Sequence, residues 1–226
     1  MMRLIIIFLF VMILSGCNND SDNPVNSNLP PKPKMMFINA APFGNSGFVK
    51  FIFNGDTANT KQVNYGNYLG YTEFNSGFKN IGVEFNYGSE TVHANLGKNL
   101  ENKNFYSCVA YDLGSPSSAS VIILNELPVL PNFNIIKVRV VNFFATEQPI
   151  DFFLYPTLNL FRNVDFMVAS NFVQLEPGTF DFSVKSSEDT THTILQIFGQ
   201  NLSLPRAYSY FIAGYSTSPI YIKTIY

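Results

Sequence analysis

The sequence predicts an all-β protein built from two tandem antiparallel β-sandwich domains of immunoglobulin-like type. Three observations point there. The chain is rich in Phe (23), Tyr (12) and Asn (26) and has no Trp, a mixture that favours strands and turns over helices. Its apolar segments are short, alternate with period two, and recur every ~8–15 residues between Gly, Asn, Ser and Pro. The region from Met35 onward also repeats itself weakly at an offset near 102 residues, long enough for each copy to be a whole domain. With 46% hydrophobic and 13% charged residues the chain is not a disordered tail, and its net charge of −2 provides no positive field for binding nucleic acid.

The N-terminus carries a single early cation, Arg3, followed by an unbroken apolar run from Leu4 to Leu14 and then Ser15-Gly16-Cys17. Eleven helical residues span about 16 Å, roughly half a hydrocarbon core, so the run has the size of a signal-peptide apolar region and not of a spanning helix. Leu14-Ser15-Gly16-Cys17 resembles the lipobox of bacterial lipoproteins. The resemblance implies cleavage after Gly16 and lipidation of Cys17, hence attachment to a membrane through acyl chains at about 0.8 kcal/mol per buried CH₂. Asn18 at the next position, in the rule this resemblance brings, favours the outer membrane, on its periplasmic face or at the cell surface.

Residues 1–16 are therefore read as a lipoprotein signal peptide and 17–34 as a flexible tether rich in Asn and Pro. Residues 35–127 form the first sandwich, 128–134 a linker and 135–226 the second sandwich. Pro128 and Pro131 place the boundary, since neither can serve in a central strand. If Cys17 carries lipid, Cys108 has no disulfide partner, and its strand-like surroundings make it a small buried hydrophobe.

Within the first copy, Phe48–Phe53 reads as a strand ending at an Asn54-Gly55 hairpin turn. Ile81–Tyr87 puts Ile81, Val83, Phe85 and Tyr87 on one face and Gly82, Glu84 and Asn86 on the other. Glu90–Leu96, Asn104–Asp112 and Ser120–Asn125 add further strands, for six or seven per copy. In the second copy Arg139-Val140-Val141-Asn142 answers Met36-Phe37-Ile38-Asn39, Tyr208-Ser209 answers Tyr106-Ser107, and His192 falls near the place of His93. Asp165–Leu175 fits an N-capped helix by its apolar spacing. Gly66, Asn67 and Gly70 at the equivalent place in the first copy favour an irregular turn leading into a strand.

Phe37-Ile38-Asn39-Ala40-Ala41-Pro42, the turn near Asn54-Gly55, Tyr65-Gly66 leading to Gly70-Tyr71, and the Gly77 turn together resemble the DUF4397 family, as does Leu175-Glu176-Pro177-Gly178-Thr179-Phe180 in the second copy. This family is a β-sandwich module of bacterial surface and secreted proteins. The resemblance spans most of residues 35–226 and implies fold and location, not chemistry. The second copy departs from it at Phe143-Phe144-Ala145, and at Pro156, where the family's turn carries Asn-Gly.

No nucleophile elbow, zinc-protease motif, paired Cys motif or phosphate loop is present, so no catalytic residue, metal or cofactor is assigned. The expectation is a non-enzymatic, lipid-anchored envelope protein acting as a structural, adhesion or binding module. The alternatives are a glycan-binding accessory protein and a hydrolase of new type. The partners expected are the membrane, through Cys17, and a glycan or envelope protein. The 23 Phe and 12 Tyr exceed what a sandwich core of about 92 residues hides, an excess that either makes Tyr65, Tyr68, Tyr71 and Tyr87 candidate ligand-stacking residues or, as the favoured reading, fills an aromatic-rich core and an interface between the domains.

Overall fold

Among the described residues of the computed structural model, sixteen strands and one short 3-10 turn at Pro116–Ser118 make up the regular structure. The structure describes residues 30–42, 47–54, 56–87, 89–126, 134–145, 149–203, 205–215 and 218–226, apart from the side chains of 56–59. The signal peptide, Cys17, the tether through residue 29, Gly55 and most of the 128–134 linker lie outside the described residues.

The first half contains β1 (Lys34–Asn39), β2 (Phe48–Phe53), β3 (Asp56–Asn64), β4 (Tyr68–Glu73), β5 (Gly77–Tyr87), β6 (Glu90–Leu100), β7 (Phe105–Tyr111) and β8 (Ser120–Glu126). They form two four-stranded sheets, ordered β4-β1-β7-β8 and β3-β2-β5-β6. The second half contains β9 (Ile136–Phe144), β10 (Ile150–Leu154), β11 (Leu158–Val164), β12 (Val173–Leu175), β13 (Gly178–Ser186), β14 (Thr193–Leu202), β15 (Ala207–Tyr215) and β16 (Ser218–Ile225). Its sheets, β12-β9-β15-β16 and β11-β10-β13-β14, repeat the first arrangement strand for strand. The chain is thus all-β, in two similar sandwich halves.

The details differ from the sequence-based expectation in three ways. Each half has eight strands, because polar β3 runs along a sheet edge and lacks the apolar alternation that marks the others. The ladders are not all antiparallel, since β1 pairs with β7 and β9 with β15 in parallel. Each first strand crosses to the facing sheet at once, and its parallel neighbour arrives only after five intervening strands, long enough for a connection no hairpin could make. The resulting order also differs from the ABED/CFG order of immunoglobulin domains.

Three apolar cores hold the chain together. One lies between the sheets of the first half and includes Phe37, Phe51, Val83, Phe85, Tyr106 and Cys108. The second does the same in the second half, with Val140, Phe152, Phe182, Val184 and Tyr210. The third joins the halves, packing Met36, Ile38 and Val109 against Val141, Phe143, Phe211, Ala213 and Ile222. Strands β1, β7, β9 and β15 are therefore covered on both faces, which explains their continuous apolar runs. Residues 31–226 form one compact unit.

The repeat extends to buried polar details. Asn39 donates from Nδ2 to the Val63 carbonyl (3.0 Å) and accepts from the Ala41 amide (3.0 Å). Asn142 does the same with Val164 (2.9 Å) and Phe144 (2.9 Å). The backbone of each Asn also clasps a turn: Gly66 donates to Asn39 and Met167 to Asn142. Gly66 and Met167 both have positive φ, 74° and 61°, a conformation natural to Gly and strained for Met. Asp165–Val168 is accordingly a turn, followed by β12, and not a helix. The Tyr106 and Tyr208 hydroxyls accept the amides of Glu101 (2.9 Å) and Ser203 (3.0 Å), pinning equivalent corners five residues upstream.

One charged pair is buried where the halves meet. Glu126 at the end of β8 binds Arg139 of β9, and both are almost wholly excluded from solvent. Arg139 also donates to Ser209 Oγ (2.7 Å) and the Tyr226 hydroxyl (3.1 Å), and lies 4.8 Å from the Phe172 ring centroid. Burial opposes the guanidinium charge, but Glu126 and Tyr226 outweigh it and hold Arg139 more firmly protonated than usual. Removing one member strands the other in an apolar interface. Glu126→Leu is expected to destabilise the chain by about 3–5 kcal/mol, and Glu126→Leu with Arg139→Met much less. Urea unfolding of the three proteins, with both halves melting in one transition, checks this.

Candidate functional site

The four tyrosines singled out in the sequence do not form an open stacking row. Tyr68 and Tyr71 pack against the core between the halves. The Tyr71 ring meets Phe105 edge-on (5.2 Å between centroids) and Tyr226 at 5.9 Å. Tyr65 places its hydroxyl beside Gly214, where an added Cβ would come within 3.2 Å of it. Tyr87 stacks on Phe85 and donates to Asp112 Oδ2 (3.0 Å). The aromatic excess is consumed by a third core that two separate sandwiches would not have. Cys108 is fully buried, and burial pushes its thiol pKa up, away from reactivity.

Tyr65, Tyr71 and Tyr87 share an electrostatic signature. Burial, with a smaller contribution from Asp112, pushes Tyr65 up to about 12. Burial also raises Tyr71, with Tyr226 and Glu126 adding to it, and raises Tyr87, with Asp112 adding.

His93 and His192 are both exposed. His93 stands on β6 opposite Glu84, and His192 lies in the turn before β14. Among the described residues no group of three or more His, Cys, Asp or Glu is placed to hold a metal ion.

Among the described residues, a feature suited to binding a ligand lies elsewhere, on the outer face of the β11-β10-β13-β14 sheet. A cleft of about 740 Å³ opens there over Asp151 and Phe153 of β10, Asn159 and Arg162 of β11 and Lys185 of β13. A smaller concavity of about 430 Å³ shares Arg162 and Asn163 with it, so the depression continues along β11, an edge strand. Both volumes fall in the range of small-molecule sites. The rim carries exposed Leu158, and next to it Tyr155 and Phe198 pair edge-to-face at 6.4 Å.

Ladder register explains how the cleft arises. In the first half, Lys50 of β2 faces Glu84 of β5, and they close a 2.6 Å ion pair. At the equivalent rung of the second half, Asp151 faces Lys185, with the signs exchanged. That pair does not close. Two irregularities in the β10–β11 ladder, with Asn163 at φ 48°, bring β11 over Asp151. Asp151 then accepts from Asn159 Nδ2 (3.0 Å), the Asn163 amide (2.9 Å) and Ser187 Oγ (2.5 Å). Lys185 Nζ lies instead 4.9 Å from the Phe153 ring centroid. Among the described residues neither Lys185 nor Arg162 has a carboxylate partner.

Sequence reasoning passed over these residues. The signal was Pro156, in a connection that lacks the Asn-Gly of the first copy's Asn54-Gly55 turn, because residues 156–158 line the cleft. Charge exchange between Lys50/Glu84 and Asp151/Lys185 is visible only once the register is known.

No protein-family model and no curated protein matches the chain. A solved Bacteroides fragilis structure, named as a candidate cell adhesion protein, is similar to it at 8% identity, covering 87% of this chain and 97% of that one, with a TM-score of 0.22. That likeness is too slight to assign a function.

The raised tyrosine pKa values give the interface an alkaline limit. The unfolded chain releases tyrosyl protons near pH 10, whereas Tyr65 keeps its proton to about 12, so stability falls as pH rises through this window. Absorbance at 295 nm, followed with near-ultraviolet circular dichroism, should show late tyrosinate formation that coincides with loss of the fold.

Proposed function

We propose that this chain is a lipid-anchored protein of the bacterial cell envelope, a non-enzymatic adhesion or binding module that engages its ligand through the second half. The observation that carries this reading is the outer-sheet cleft, where amides, hydroxyls and two cations without carboxylate partners converge beside an apolar rim. Such a combination orients a polar ligand. Among the described residues Asp151 is the only carboxylate lining the cleft and both its oxygens already accept hydrogen bonds, whereas glycoside hydrolysis needs two carboxyl groups ~5–9 Å apart. The DUF4397-like motifs agree with an envelope location, and Leu14-Ser15-Gly16-Cys17 agrees with a lipid anchor in the outer membrane.

Two experiments test the two parts. A clickable palmitate analogue fed to expressing bacteria should label the wild-type chain, and Cys17→Ala should lose both the label and the membrane fraction; a label that persists removes the anchor. Immobilised chain should bind at least one member of a panel of neutral and acidic envelope oligosaccharides, peptidoglycan fragments or envelope proteins saturably. A blank panel removes the binding role.

A further inference from the structure

Resting on the binding role proposed above, we infer that the second-half cleft selects an acidic oligosaccharide, with Arg162 and Lys185 meeting the carboxylates of its sugar acids. Three features of the cleft define that ligand.

The first is charge. At the Lys50–Glu84 rung of the first half the cation is neutralised across the ladder. At the Asp151/Lys185 rung the carboxylate is held by Asn159, Asn163 and Ser187. Those three donors turn Asp151 toward the fold, and it closes no ion pair with Lys185, so the lining carries two cations against one carboxylate. Lys185 keeps its charge at the wall, half-buried over Phe153, and Arg162 on β11 adds a second charge with a planar, bidentate donor face. Lys185 is partly desolvated and attracts an anion more strongly than it would on an open surface, while Arg162 is exposed and offers its donors at the mouth.

The second is the neutral lining. Thr157, Asn159, Asn163, Ser187 and Thr190 surround the cations with amides and hydroxyls, groups that both donate and accept as sugar hydroxyls do. The Asn159 Oδ1 atom is buried there without a hydrogen-bond partner in the fold.

The third is shape. Continuity with the smaller depression at Arg162 and Asn163 extends the groove along an edge strand, which suits a linear chain of several units. The exposed Tyr155 and Phe198 rings beside the rim offer flat apolar faces with an aromatic edge, the surface against which a sugar ring packs. An acidic peptide would use the charges but has less use for the neutral hydroxyls and flat rings.

The test is calorimetry on the mature-length chain with tri-galacturonic acid, its carboxyl-reduced galactose counterpart, and a hexaglutamate peptide. The acid should bind and the reduced sugar should bind at least tenfold more weakly. Arg162→Gln and Lys185→Gln should each weaken the acid by about tenfold, the size expected for losing one hydrogen bond to a charge. Lys50→Gln, in the first half, should leave binding unchanged, and unfolding curves confirm that each variant folds. Equal binding of acid and reduced sugar overturns the charge selection while leaving the binding role intact. Acid binding indifferent to both substitutions overturns the site. Hexaglutamate binding as tight as the acid overturns the saccharide assignment. Failure of every probe here, together with a blank envelope panel, counts against the binding role itself.

Discussion

The apolar contact between the two halves is the constraint on which the rest of the structure depends. Strands β1, β7, β9 and β15 have apolar side chains on both faces, so neither sandwich is finished without the other. Burial of each large side chain there contributes about 1.5–3 kcal/mol, and nine buried residues form that cluster. The Arg139–Glu126 pair sits in the same contact. Its own net contribution is small once desolvation is counted, but it fixes which atoms must meet, because a displaced interface leaves a buried charge alone. The tyrosines first read as ligand-stacking residues take part in this contact: Tyr68 and Tyr71 pack on its core, and Tyr65 reaches the Gly214 backbone of the second half.

With the halves fixed, their outer sheets remain free to diverge. The same ladder rung carries a closed ion pair in the first half and a diverted carboxylate in the second. What separates them is the path of β11, whose irregular pairing and left-handed Asn163 bring donors over Asp151. A change in one turn and one edge strand thus replaces a closed ion pair by an open recess whose lysine has no carboxylate partner, without disturbing Phe152, Phe182 or Val184 on the opposite face.

Much of this was legible in the sequence. Period-two alternation marked β5, short apolar runs ended by turn residues marked β2 and β8, and the repeat of Asn39 at Asn142 and of Tyr106 at Tyr208 marked positions that make matching hydrogen bonds. Polar β3 was not legible, because an edge strand with solvent beside it needs no apolar face. The parallel pairs escaped as well, since alternation reports which face is buried and not which neighbour lies alongside. The cleft escaped for a related reason. Asp151, Asn159, Asn163 and Lys185 are ordinary residues in sequence, and only cross-strand register brings them together.

The equivalence of the two halves fails at one revealing place. Met36 occupies in β1 the rung that Arg139 occupies in β9, each beside a buried serine, Ser107 or Ser209. Glu126 likewise occupies the place that Tyr226 takes after β16. Two first halves brought face to face would each bury Glu126 against Met36 with no cation, and two second halves would bury Arg139 with no carboxylate. Either pairing of like halves strands a buried charge, so this surface gives two similar sandwiches unlike faces that complement each other.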